Sequence, residues 1–169
     1  MKNIVLTGFM GTGKTEVGKI LAQRFGYTFL DADSIIEQEQ NMSITEIFRL
    51  YGEPYFRDIE SAVLRRLAER DKVVISTGGG AVLRQENMDN LRKKGIIVCL
   101  TASPETILRR TSNDSSRPLL QVEDPLKKIK ELLEFRRPYY ERSDIMIDTE
   151  GKSPLEVAEE IMERIKDKV

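Results

Sequence analysis

A short β-branched run, NIVLTG, passes at residues 8–15 into the loop GFMGTGKT, and a helix is expected to follow. Gly8, Gly13, Lys14 and Thr15 fall on the spacing G-x-x-x-x-G-K-[ST], and the flanking strand and helix supply the context in which that spacing has physical meaning. Three glycines and a lysine packed this tightly serve no core. Glycine tolerates positive φ and lets backbone N–H groups crowd around a phosphate, while a helix start adds partial positive charge. The loop is therefore expected to hold a nucleoside triphosphate on Gly11, Thr12, Gly13, Lys14, Thr15 and Glu16. Lys14 would bridge the outer phosphates and Thr15 would ligate Mg²⁺.

A strand that ends in such a loop needs neighbours of its own kind. KVVISTGGG at residues 72–80 and GIIVCLTA at residues 95–102 are also β-branched, continuous rather than alternating, and bounded by glycine or small polar residues. Strands covered on both faces read this way. YTFLDAD and the late DIMIDT are weaker strands. Helical segments lie between them, so the expected class is α/β: a three-layer αβα fold on a five-stranded parallel sheet.

Two helix starts are marked. SITE at residues 43–46 and SPLE at residues 153–156 fit a capping box, and Pro154 falls at a first helical position. Ala158, Ile161, Met162, Ile165 and Val169 then form one apolar stripe. TSNDSSRPLLQVEDP, residues 111–125, is polar and turn-rich, as a mobile lid or an insertion would be.

The chain has 169 residues, enough for one domain with a real core. Lys+Arg 27 against Asp+Glu 28 leaves a net charge of -1, so no global field draws it to nucleic acid or an anionic membrane, and any anion site is local. The single cysteine, Cys99, lies in the apolar run IIVCL and is expected to be a buried thiol in a reducing compartment. The apolar part of MKNIVLTG is too short for a secretory segment, and no run nears the roughly 20 apolar residues of a membrane span. A cytoplasmic protein, acting as a monomer without nucleic acid or membrane partners, is expected.

Further polar residues sit where chemistry would use them. In LDAD, Asp31 and Asp33 share one side of a strand end, where open α/β sheets place ligands. They suit a metal and a polyol, or they cap the following helix. Ile129, Leu132, Leu133 and Arg136 follow i, i+3, i+4, i+7, so Arg136 continues an inward stripe. A buried guanidinium needs an anion, from a ligand or from a protein salt bridge. Arg57 and Glu60 are one helical turn apart, so Glu60 either fixes Arg57 in a pose or forms an ordinary surface pair with it. Gly78, Gly79 and Gly80 strip the central strand's end of side chains, either for close approach to a ligand or as a loose linker. Arg117, inside the 111–125 stretch, and Arg109 and Arg110 before it, are candidates to neutralise a phosphoryl group in flight or plain exposed cations.

In order and spacing, GFMGTGKT, the LDAD strand end, IFRLYGEPYFRDIE, STGGG, RPLL and RRPYY together resemble the shikimate kinase family across nearly the whole chain. The resemblance implies a nucleoside-monophosphate-kinase-like P-loop fold in a single domain over residues 1–169, with a substrate-binding insertion near residues 33–61 and a lid near 111–124. It implies transfer of the γ-phosphoryl group of MgATP to the 3-hydroxyl of shikimate, a step toward chorismate and the aromatic amino acids. Asp33 then resembles the carboxylate that contacts the ring hydroxyls and accepts the proton, and Asp31 looks like the water-mediated partner of Mg²⁺. Arg57, Arg136 and the glycine backbone at Gly79 match the binders of the substrate carboxylate, with Glu60 orienting Arg57 and Phe48 and Phe56 walling the ring. Lys14 and Arg117 match the cations on the transferring phosphate, and Arg110 the adenine-stacking position. Another small-molecule kinase of this fold, acting on gluconate or a nucleoside monophosphate, is the rival within the class, and a nucleotide-binding module without turnover the rival outside it.

Overall fold

The computed structural model describes residues 1–112 and 122–168. Five strands form one parallel sheet: β1 (Asn3–Gly8), β2 (Thr28–Asp31), β3 (Val73–Ser76), β4 (Gly95–Thr101) and β5 (Ile145–Asp148), in the order β2-β3-β1-β4-β5. The glycines of STGGG lie beyond β3, which stops at Ser76. Among the described residues eight α-helices connect and cover the strands: α1 (Lys14–Phe25), α2 (Ala32–Gln40), α3 (Ile44–Tyr51), α4 (Glu53–Ala68), α5 (Gln85–Lys94), α6 (Pro104–Thr111), α7 (Pro125–Tyr140) and α8 (Pro154–Ile165).

Alternation along each strand separates the core into two layers, because successive side chains point to opposite faces. Val5, Ile75, Ile97 and Cys99 face one way, against Ile36 of α2, Ile47 of α3, Leu64 of α4, Met88 of α5 and Ile129 of α7. Ile4, Leu6, Val74, Val98 and Ile147 face the other, against Val17 and Leu21 of α1 and Ala158, Ile161 and Ile165 of α8. Burial on both faces is why β1, β3 and β4 read as unbroken apolar runs, whereas the edge strands β2 and β5 are partly exposed and read more weakly. Cys99 lies in the first layer, where burial pushes its thiol pKa up and keeps it a protonated packing group.

The two expected capping boxes come out differently. At the start of α8, Ser153 Oγ accepts from the Glu156 N–H and the Glu156 carboxylate accepts from the Ser153 N–H, a complete box. At the start of α3, Ser43 Oγ accepts from the Glu46 N–H, but the Glu46 carboxylate turns outward to Arg49, so half the box is made. An arginine one turn on outcompetes a single backbone N–H for a carboxylate. The stripe of α8 is buried at Ala158, Ile161 and Ile165 and half-buried at Met162, while Val169 lies outside the described residues. Among the described residues no helix is long and apolar enough to cross a membrane.

The chain leaves β1 toward β2 and β3 on one side and then crosses to β4 and β5 on the other, so its direction reverses beside β1. Crevices at the carboxyl ends of strands form at such reversals.

Candidate active site

A cleft of about 690 Å³ opens there, lined by the loop after β1, the end of β2, the glycines after β3, and side chains of α2, α4, α6 and α7. One wall is the glycine loop. Gly13 caps the start of α1 with φ 92°, a conformation that favours glycine, and leaves the first N–H groups of the helix open toward the cleft. Lys14 Nζ curls over the loop and donates to the carbonyls of Gly8 at 2.6 Å and Phe9 at 3.0 Å. Gly11, Thr12, Thr15 and Glu16 line the same wall, and Arg110 of α6 closes its outer end by donating to the Gly11 carbonyl at 3.1 Å. Thr149, Lys152, Pro154 and Val157 continue that end, a group the sequence had not pointed to as part of a site.

The second wall carries charges. Asp31 ends β2 and is the N-cap of α2: its Oδ1 accepts from the N–H groups of Asp33 at 3.1 Å and Ser34 at 3.3 Å. The capping role foreseen as an alternative therefore belongs to Asp31, and it holds Asp33 in the first turn of α2. Asp33 meets Glu60 of α4 above Gly78, where a Cβ would lie 2.8 Å from Asp33 Oδ1 and 3.1 Å from Glu60 Oε2.

Arg57 is no surface pair. It is buried, donating to Glu60 Oε1 at 2.9 Å and, through Nε and Nη2, to Glu53 Oε2 at 3.2 and 3.1 Å. Burial pushes the Glu60 pKa up to about 7; Arg57 opposes this, and the neighbouring Asp33 adds to it. Glu53 was missed from the sequence, although its place four residues before Arg57 on one helix is the signal that finds it. Phe56 and Phe48, with ring centroids 5.1 Å apart, wall this end.

Arg136 sits opposite on α7, 2% exposed, its guanidinium 5.5 Å from the ring centroid of Phe9. Nε and Nη1 have no hydrogen-bond partner among the described residues, so the structural salt bridge weighed as its alternative role is not formed there. Between the arginines run the three glycines. A Cβ on Gly79 would stand 3.2 Å from Arg136 Nη1, and one on Gly80 would stand 2.2 Å from Arg57 Nη2. Their bareness is thus required by close approach, not by looseness.

Thr15 and Asp31 face the cleft with a hydroxyl and a carboxylate, hard oxygen donors of the kind Mg²⁺ prefers. Among the described residues no group of three or more His, Cys, Asp or Glu is placed to hold a metal alone. The set fits an ion completed by phosphate and water oxygens, the usual arrangement for Mg²⁺ at a triphosphate. Arg117 and most of the 111–124 segment expected as a lid lie outside the described residues.

The chemistry of the cleft is that of two anion grips facing one another, with a carboxylate pair between them. Residues 10–166 match the family model described as shikimate kinase. The chain is 54% identical over 162 residues to a shikimate kinase of Thermodesulfovibrio yellowstonii, covering 96% of this chain and 94% of that one. It is also similar to the solved shikimate kinase of Acinetobacter baumannii in complex with shikimate, at TM-score 0.96 and 40% identity, covering 100% of this chain and 96% of that one. The Aquifex aeolicus enzyme structure matches at TM-score 0.85 and 38% identity, covering 97% and 96%.

Proposed function

The chain belongs to the shikimate kinase family, and from that premise we propose how the cleft carries out ATP-dependent phosphorylation of shikimate at its 3-hydroxyl. The observation that carries the reading is the buried Arg136, with two N–H-bearing nitrogens unpartnered among the described residues, facing the same cleft as the glycine loop. Burying a guanidinium costs several kcal/mol unless an anion meets it. A small carboxylate acid is that anion.

Shikimate would sit with its carboxylate on Arg57, Arg136 and the backbone of Gly79 and Gly80, its ring against Phe48 and Phe56. Glu60 and Glu53 hold Arg57 in place from behind, so the cation is set before the acid arrives. Preorganisation of this kind lowers the cost of binding. The ring hydroxyls then reach Asp33, which orients the attacking oxygen and takes its proton.

The triphosphate would lie along the loop of residues 8–15, with backbone N–H groups of Gly11, Thr12 and Gly13 on its oxygens and Arg110 beside the base. Lys14 would release its carbonyl contacts to reach the outer phosphates, and Arg117 would join it. Thr15, and Asp31 through water, would hold Mg²⁺, which would supply charge neutralisation. Phosphoryl transfer asks chiefly for positioning and electrostatic stabilisation, which a chain without histidine can provide. We place this single domain in the cytoplasm as a monomer; the buried, protonated Cys99 fits a reducing compartment.

The test is ADP release with shikimate, gluconate and nucleoside monophosphates side by side. Turnover confined to shikimate is expected. Equal or greater turnover with another acceptor, or none with any, would overturn the reading.

A further inference from the structure

The peptide between Gly79 and Gly80 has a glycine at each end, which makes it intrinsically one of the least restrained in the chain. Something must fix it if it is to present a hydrogen-bond donor. Each carbonyl of the three glycines has its own donor: Gly78 accepts from the Ala81 N–H at 3.2 Å, and Gly80 from the Leu83 N–H at 3.1 Å. Gly79 accepts from the Tyr140 hydroxyl at 2.7 Å. The N–H groups of all three glycines, by contrast, have no acceptor among the described residues.

We propose that Tyr140 is a positioning residue: by holding the Gly79 carbonyl, its hydroxyl turns the Gly80 N–H to the opposite side of that peptide, as a donor to the substrate carboxylate. The peptide bond is trans, so its C=O and N–H point in opposite directions, and fixing one fixes the other. The same peptide runs between the guanidinium groups of Arg136 and Arg57, where an acid would be clamped. Tyr140 follows Arg136 by one helical turn on α7, so one rigid element sets both the cation and the peptide. Burial pushes the Tyr140 pKa up to about 12 against the pull of Arg136, which keeps the hydroxyl a donor throughout the working pH range. The inference rests on the reading of the cleft as a shikimate site.

Tyr140→Phe keeps the ring and removes the donor. The expected result is a rise of about 5- to 10-fold in KM for shikimate, from loss of orientation worth about one hydrogen bond. kcat and KM for ATP should stay within about twofold, since uniform binding of one substrate is what is lost. Unchanged KM for shikimate in a folded variant, or a parallel rise for both substrates with a fall in Tm, overturns the proposal. Should the variant not fold, 3-fluorotyrosine placed at position 140 of the otherwise native chain reports through its ¹⁹F resonance. A shift with shikimate and none with ATP supports the proposal; no shift, or an equal one with ATP, sinks it. Wild-type protein inert toward shikimate would bring down the underlying reading. Normal wild-type turnover with unchanged KM in the variant brings down this inference alone.

Discussion

The guanidinium of Arg57 donates to the Glu60 carboxylate at 2.9 Å with both side chains buried, while the second oxygen of Glu60 has no hydrogen-bond partner among the described residues. Burial raises the pKa of this carboxylate by more than Arg57 lowers it, and Asp33 adds to the raise, so Glu60 binds a proton more readily than in water.

The pH dependence of stability follows. The folded pKa of Glu60 is raised from 4.5 to about 7, so proton uptake favours the folded state. That contribution is fully present below the unfolded value and is lost as pH rises through the folded one. Relative to Glu60→Gln, the wild type is expected to lose Tm between pH 4.5 and about 7 and to run parallel outside that window. Curves parallel throughout would show that Glu60 titrates normally.

Arg136→Met separates binding from stability. Methionine of similar length removes a buried cation whose Nε and Nη1 are unpartnered, so the unliganded protein should hold or gain Tm. KM for shikimate should rise at least tenfold, because a charge-assisted hydrogen bond is worth about 1.5–3 kcal/mol. A large fall in Tm with KM preserved would assign Arg136 to the scaffold.

Asp33→Asn keeps the shape of the carboxylate and removes its capacity to take a proton. kcat is expected to fall about 10²-fold or more while the Kd of ATP changes by less than about threefold. Turnover within about threefold of wild type would reject the proton-acceptor role, as single-turnover measurements would show.

Gly80→Ala puts a methyl 2.2 Å from Arg57 Nη2 at a backbone φ of -97° that alanine adopts freely. The strain thus falls on the arginine, not on the chain. KM for shikimate should rise with KM for ATP unaltered; titration calorimetry showing native shikimate affinity would mean that Arg57 swings aside without loss.

Where local pattern dictates structure, the sequence was readable. The glycine loop, all five strands and the inward stripe ending in Arg136 are determined by spacing within one element, and spacing is visible in a linear string. The environment of a side chain is not. Spacing alone left Arg57 and Glu60 either a fixed pair or an ordinary surface pair, because what decides it, the packing of Asp33 of α2 and of Gly78 and Gly80 against them, is distant in sequence. Glu46 reads as a cap because both donors that compete for its carboxylate, the Ser43 N–H and the Arg49 guanidinium, lie within one turn, and only geometry shows that Arg49 wins. Tyr140 is legible only as the end of the RRPYY motif, and its contact is not, since its partner lies 61 residues away.

The strand order has a practical reach. On the proposed reading the acid-gripping groups come from the glycines after β3 and from α4 and α7, whereas Arg110, Thr149 and Pro154 border the cleft from beyond β4 and β5. Acceptor and base would then be held by two modules of different residues, on either side of the loop after β1. Redesign of the acceptor pocket at Phe48, Phe56 or Glu53 leaves the opposite module chemically untouched, which makes this scaffold a candidate for phosphorylating other compact hydroxy acids.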